Sequence, residues 1–147
     1  MTPIDPPTPD SGTFDLIHDR DQIDAAIKQV LDVLATLGYS ESSRFAVRLA
    51  IEEGIANAFR HGHKGLEATA RVQVTYAAKP GELRVTIRDQ GPGFDPNVVP
   101  DPTLDENLEL PSGRGLMLMR AYMTSVTFNA KGNEVTLVYR KPTKKLA

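Results

Sequence analysis

The sequence predicts an α+β fold, a two-layer sandwich in which a mainly antiparallel or mixed sheet carries helices on one face. Three observations predict it. Two stretches with helical spacing come first. Four alternating runs follow as two turn-linked pairs. A third, glycine-opened helical stretch lies between those pairs. Hairpins rather than single crossovers therefore dominate the connectivity.

Residues 1–12, MTPIDPPTPDSG, hold four prolines and almost no apolar side chain. They are expected to form a disordered tail ahead of one domain at 13–141, with a short C-terminal tail at 142–147. TFDLIH (13–18) reads as a short strand. In the next stretch Ile23, Ala26, Ile27, Val30, Leu31, Leu34 and Leu37 recur at helical spacing, opened by Asp19 or Asp21 and stopped by Gly38. A second helix restarts near Ser40 and is expected to end by Gly62 or Gly65. Its apolar positions Val47, Ile51, Ile55 and Ala58, with Phe45, Leu49, Ala56 and Phe59, cover much of the circumference, so it is expected to be mostly buried.

Val72/Val74/Tyr76 and Leu83/Val85/Ile87 alternate as strands around Lys79-Pro80-Gly81-Glu82, a type II turn by composition. Val126/Phe128 and Val135/Leu137/Tyr139 form the second pair around Lys131-Gly132-Asn133. GRGLMLMRAYMT (113–124) is the helix between the pairs. Residues 90–112 fit no element: they carry five prolines, five acids and no apolar period. A structureless stretch of that length is either a disordered insertion or a lid, and the glycine clusters at both ends favour a lid at about 90–115.

Composition narrows the chemistry. With 40% hydrophobic and 24% charged residues the chain is an ordinary globular protein, and a net charge of −2 gives no broad electropositive face for nucleic acid. There is no cysteine, which removes disulfides, thiolate metal sites and cysteine nucleophiles. No apolar run approaches the roughly 18 residues of a membrane span, so a cytoplasmic location is expected.

Two clusters remain. In IEEGIANAFRHGH, Glu53, Asn57 and His61 stand four residues apart, each step advancing only about 40° around a helix, so they form one polar stripe. The stripe is either a hydrogen-bonded core patch or a site. As a site, the Asn57 amide oxygen suits a magnesium ion that keeps waters and phosphate oxygens. Glu53 can then take a proton from a hydroxyl or water attacking a phosphate. Zinc held by His61, His63 and Glu53 is the weaker reading. In RDQGPGFDP (88–96), Asp89 ends a strand and is followed by backbone left bare at Gly91 and Gly93. SGRGL (112–116) places glycines ahead of a helix whose free amides favour an anion, with Arg114 the only cation between Arg88 and Arg120.

EEGIANAFRHG, RDQGPGFD and GRGLMLMRAYM, in that order, resemble the asparagine box and two glycine boxes of the gyrase, chaperone, histidine-kinase and mismatch-repair (GHKL) ATPases. Within them the chain is most similar to the bacterial anti-sigma factor serine/threonine kinases, over about residues 13–141. The resemblance implies a Bergerat-type, histidine kinase-like ATPase fold that uses ATP and magnesium. It implies that Asp89 accepts from the adenine amino group, that Gly91 and Gly93 let base and lid approach, and that Asn57 binds the metal. Glu53 falls where these kinases carry the catalytic carboxylate. Gly113 and Gly115 match the phosphate-side glycines, and His61, Arg114 and Leu116 complete the expected nucleotide contacts.

The sequence departs from the pattern at Ala56 (often threonine), His63 (often tyrosine) and Thr124 (often aspartate). By resemblance, the protein is a homodimeric anti-sigma factor that phosphorylates a STAS-fold anti-anti-sigma antagonist and holds a sigma factor inactive. Two alternatives stay open: a kinase for a STAS protein that binds no sigma factor, and a nucleotide-gated binding module without phosphotransfer, toward which Ala56 points.

Overall fold

The computed structural model describes residues 10–62, 70–91 and 111–142, the side chains of 61–62 and 111–115 excepted. Its elements are β1 (Asp10–Leu16), α1 (Arg20–Thr36), α2 (Glu41–Asn57), a π-helical turn (Ala58–Gly62), β2 (Val72–Ala78), β3 (Glu82–Arg88), α3 (Pro111–Tyr122), β4 (Ser125–Phe128) and β5 (Glu134–Arg140). The strands form one five-stranded sheet in the order β1-β2-β3-β5-β4, every pair antiparallel. The three helices lie on one face, as the alternation and spacing require.

Helix α1 is bounded by its own side chains. Asp19 accepts from the Gln22 amide at 3.0 Å as N-cap. At the other end Gly38 takes φ +85°, and the amides of Gly38 and Tyr39 reach the carbonyls of Ala35 and Leu34, the paired bonds of a Schellman stop. Ile23, Ala26, Ile27, Val30 and Leu34 are buried, with Leu31 and Leu37 packed at the margin. In α2 the face that closes is Ser43, Val47, Ala50, Ile51, Gly54 and Ile55. The expectation of a mostly buried helix is corrected here. Phe45 is 49% exposed and lies under the Arg48 guanidinium, while Leu49 and Ala56 are half-buried, so α2 keeps a solvent side.

Small residues Ala46, Ala50 and Gly54 recur every fourth position along α2, Ala58 follows at the same spacing in the π-helical turn, and α2 and α3 pack against each other. The approach is tightest at Gly54. A Cβ there would meet Ile87 Cδ1 of β3 at 2.5 Å, with Met119 Sδ of α3 and Leu137 Cδ1 of β5 within 4 Å. Four elements meet at that point.

Two boundaries and one turn type differ from the sequence reading. Strand β1 begins at Asp10, because residues 10–12 pair in register with Ala78, Ala77 and Tyr76; the disordered tail expected for 1–12 is therefore too long. Gly81 does not take a positive φ, so the Pro80-Gly81 turn is not type II. Helix α3 already includes Pro111 to Gly115, which shortens the lid expected at 90–115. Residues 92–110 lie outside the described residues.

On the face away from the helices, the registers align one threonine from every strand in a single row: Thr13, Thr75, Thr86, Thr136 and Thr127. These positions are β-branched, which suits a strand, and carry a hydroxyl, which suits water.

Candidate functional site

The Gly54 junction positions the candidate residues. Glu53 and Asn57 flank it on α2, one turn apart, and both are half-buried. Ile87 is the last core residue of β3, and Asp89 follows two positions later, just past the strand end rather than within it. Packing Ile87 against Gly54 therefore carries the ends of α2 and β3 to one place on the helix-covered side of the sheet.

Asn57 shows the sharpest anomaly. Its Oδ1 is buried and, among the described residues, has no hydrogen-bond partner. A buried amide oxygen left in that state costs about 1–3 kcal/mol. The group is a hard, uncharged oxygen ligand, so the residue fits the magnesium that the family's chemistry implies. Among the described residues no group of three His, Cys, Asp or Glu side chains could hold a metal ion; the zinc reading falls on His61 and His63, whose side chains lie outside them.

The backbone changes character immediately after Asn57. From Ala58 to Gly62 it winds as a π-turn, a form concentrated at functional sites. The 100° step on which the stripe of Glu53, Asn57 and His61 was expected holds as far as Asn57, and the side chain of His61 lies outside the described residues. The turn is braced from outside by His18, whose ring stacks on Phe59 at 4.8 Å.

Asp89 is half-buried and heavily tied. Its Oδ1 accepts from the Gly91 amide at 2.7 Å, closing the first residues of the glycine stretch around the carboxylate. Its own amide donates to the Asn133 carbonyl at 2.9 Å. Gly91 is buried, and Gln90 Oε1 accepts from the Arg71 amide at 3.2 Å. In α3, Gly113 lies in the first turn and Gly115 beyond it, inside the helix rather than ahead of it as expected. Leu116 is buried among the core side chains. The side chains of His61 and Arg114, and all of His63 and Gly93, lie outside the described residues.

Two further residues belong to this neighbourhood: Asn133, which the sequence reading took only as part of a turn, and Asn129, which it did not single out. Asn133 is buried, at 6% exposure, and its Nδ2 reaches the Asp89 carbonyl at 3.4 Å. An asparagine pair bracketing a glycine turn is the signal that marks them, but nothing in it names a partner 44 residues away.

Comparison with known proteins bears on the family and the fold. Residues 17–139 match the histidine kinase-like ATPase domain family. The serine-protein kinase RsbW of Bacillus licheniformis is 28% identical over 102 residues, covering 64% of this chain and 62% of that protein. The serine/threonine-protein kinase BtrW of Bordetella bronchiseptica is 30% identical over 107 residues, covering 67% and 72%. The anti-sigma F factor of Geobacillus stearothermophilus is 28% identical over 97 residues, covering 65% and 66%. The chain thus spans less than two-thirds of the RsbW relative's length. A crystal structure of RsbU and RsbW domains from Mycobacterium tuberculosis superposes with a TM-score of 0.60 at 20% identity, covering 94% of this chain and 35% of that one, which shows a shared fold. No helix among the described residues is long and apolar enough to cross a membrane. With the match running across nearly the whole described domain and the three boxes falling on the ends of α2, β3 and the start of α3, the chain belongs to the histidine kinase-like ATPase domain family, in the company of serine/threonine kinases and anti-sigma factors.

Proposed function

We propose that the protein is an ATP-dependent serine/threonine protein kinase and anti-sigma factor that phosphorylates a STAS-fold anti-anti-sigma protein. The observation that carries the proposal is the buried Asn57 Oδ1, without a partner among the described residues, one helical turn from Glu53. That pairing supplies a metal-seeking oxygen next to a base, which is what phosphoryl transfer asks of a protein.

In this reading the Asp89 carboxylate accepts from the adenine amino group. Glu53 accepts the proton of the attacking hydroxyl as its oxygen bonds the terminal phosphorus of ATP. The bond from that phosphorus to the bridging oxygen breaks, and ADP leaves. Asn57 would hold magnesium through Oδ1, and the ion when bound offsets charge on the phosphate oxygens. Gly91 and Gly93 keep side chains away from the base. His61, Gly113, Arg114, Gly115 and Leu116 are proposed to complete the nucleotide contacts. The partners proposed are the STAS protein, a sigma factor and a second copy of the chain, in the cytoplasm.

A second reading keeps nucleotide binding but not chemistry, as a nucleotide-gated binding module. Ala56 favours it, because a methyl group stands before Asn57 where many members offer a hydroxyl. The relatives' names leave a further choice open, since some are kinases and others anti-sigma factors.

Incubation of the protein with labelled ATP, magnesium and a STAS protein decides between chemistry and gating. Label transfer is expected, and Glu53→Gln should keep ATP binding while slowing transfer by about 10²- to 10⁴-fold, the usual worth of a positioned base. Wild-type transfer in that variant would remove Glu53 from the mechanism. No transfer to any STAS protein from a well-bound ATP would favour the gated module.

A further inference from the structure

The Asp89 assignment leaves open what aims its carboxylate. Asp89 lies one residue past β3, where a single main-chain bond to Asn133 continues the pairing, and a half-buried carboxylate held by that bond alone could still swing. The β4–β5 turn supplies the restraint. Asn129 Oδ1 accepts from three successive turn amides, Gly132 at 2.7 Å, Asn133 at 3.1 Å and Glu134 at 3.3 Å. Gly132 sits at φ +79° to present them. Asn129 Nδ2 then donates to Asn133 Oδ1 at 2.8 Å. That bond fixes which way round the Asn133 amide lies, so that Nδ2 faces the Asp89 carbonyl at 3.4 Å. The Asn133 carbonyl accepts from the Asp89 amide at 2.9 Å. Both main-chain polar groups of Asp89 are thus held by one buried asparagine, itself oriented by a second. Beyond Asp89 the chain of bonds continues into the Gly91 amide.

We propose that Asn133, oriented by Asn129, is a positioning residue for base recognition: it fixes the backbone of Asp89 and so the direction of the Asp89 carboxylate. The inference rests on the reading of Asp89 as the purine-amino acceptor. Asn133 touches no nucleotide in this scheme. Its contribution is selectivity, because a carboxylate aimed at one point accepts a bond from an exocyclic amino group and repels the carbonyl that guanine offers in its place.

The informative substitution is Asn129→Asp. It keeps an oxygen to accept from the three turn amides but replaces the donor to Asn133 with a second acceptor. The Asn133 amide should then turn over, giving its NH₂ to residue 129 and setting its oxygen against the Asp89 carbonyl. The probes are ATP and GTP, each with magnesium, with binding followed by calorimetry and folding by thermal melting of the full chain. Asn129→Asp and Asn133→Ala are expected to lose about tenfold in preference for ATP over GTP at temperatures where both remain folded. Asp89→Asn should lose at least as much. A merely structural role for Asn133 would lower the melting temperature and leave the ATP:GTP ratio alone, and that result overturns the inference. If Asp89→Asn itself leaves the ratio unchanged, the reading of Asp89 fails instead. Should Asn133→Ala not fold, Asn129→Asp alone decides, since it leaves the turn's caps in place.

Discussion

Gly54 on α2 and Ile87 on β3 pack with no room for a side chain at position 54: a Cβ there would stand 2.5 Å from Ile87 Cδ1. The candidate residues stand next to this contact in the chain, Glu53 and Asn57 beside Gly54 on α2 and Asp89 two residues after Ile87.

Gly54→Ala therefore sets two effects against each other. Helix propensity favours alanine by about 1 kcal/mol. Overpacking against a fully buried Ile87, backed by Met119 and Leu137, costs about 1–3 kcal/mol. The variant should be destabilised by up to about 2 kcal/mol in urea unfolding. Ile87→Val removes the one atom in conflict and by itself costs about 0.5–1.5 kcal/mol. The double variant should be more stable than the sum of the two changes predicts, by at least about 0.5 kcal/mol. Strict additivity would mean that α2 and β3 can separate freely, and the positioning argument built on Gly54 would fall with it.

Asn57 gives a prediction with two opposite signs. Its buried Oδ1 lacks a partner among the described residues, so Asn57→Leu, close in volume, should stabilise the nucleotide-free protein by about 1 kcal/mol. The same change should remove the stabilisation that magnesium and ATP together confer on the wild type, which mass action makes roughly 2–3 kcal/mol at a hundredfold excess over Kd. Melting curves with and without magnesium and ATP test both halves. A variant that is less stable when empty would show that Oδ1 is not the liability its burial implies.

How much of this was legible in the chain depends on whether the signal is local. Helix α1 was readable to within two residues, its start left between Asp19 and Asp21, because Asp19 caps it and Gly38 stops it with bonds between near neighbours. The pairs β2–β3 and β4–β5 were readable because core-facing residues alternate. The start of β1 was not: Asp10, Ser11 and Gly12 have little strand preference, and they are extended because β2 lies beside them with Tyr76 directly against Gly12. The π-turn after Asn57 and the exposed Phe45 likewise depend on which neighbours α2 meets. At the site, the residue types and order were visible, since an amide, two carboxylates and paired glycines are unusual in such sequence. The hold of Asn133 on Asp89 was hidden, because it joins a turn to a strand end far away along the chain.

Tyr39 supplies a pH dependence whose sign can be worked out. Its hydroxyl donates to the Lys79 carbonyl at 2.7 Å from a buried position. Burial, and after it the negative charges of Glu82 and Tyr139, raise its pKa from 10.0 to about 12. An unfolded chain releases this proton near pH 10, whereas the folded protein keeps it until about pH 12. Between those limits the folded state binds more protons, so the contribution to stability is complete below pH 10 and is lost as pH rises toward 12. Tyr39→Phe keeps the ring but removes both the hydrogen bond and the titration. At pH 8 the variant should be less stable by about 1 kcal/mol. As pH climbs past 10 the wild type alone should lose this contribution, and the two unfolding free energies should converge by about pH 11. Parallel curves across that range would mean that the Tyr39 hydroxyl ionises as readily in the folded protein as in the unfolded chain.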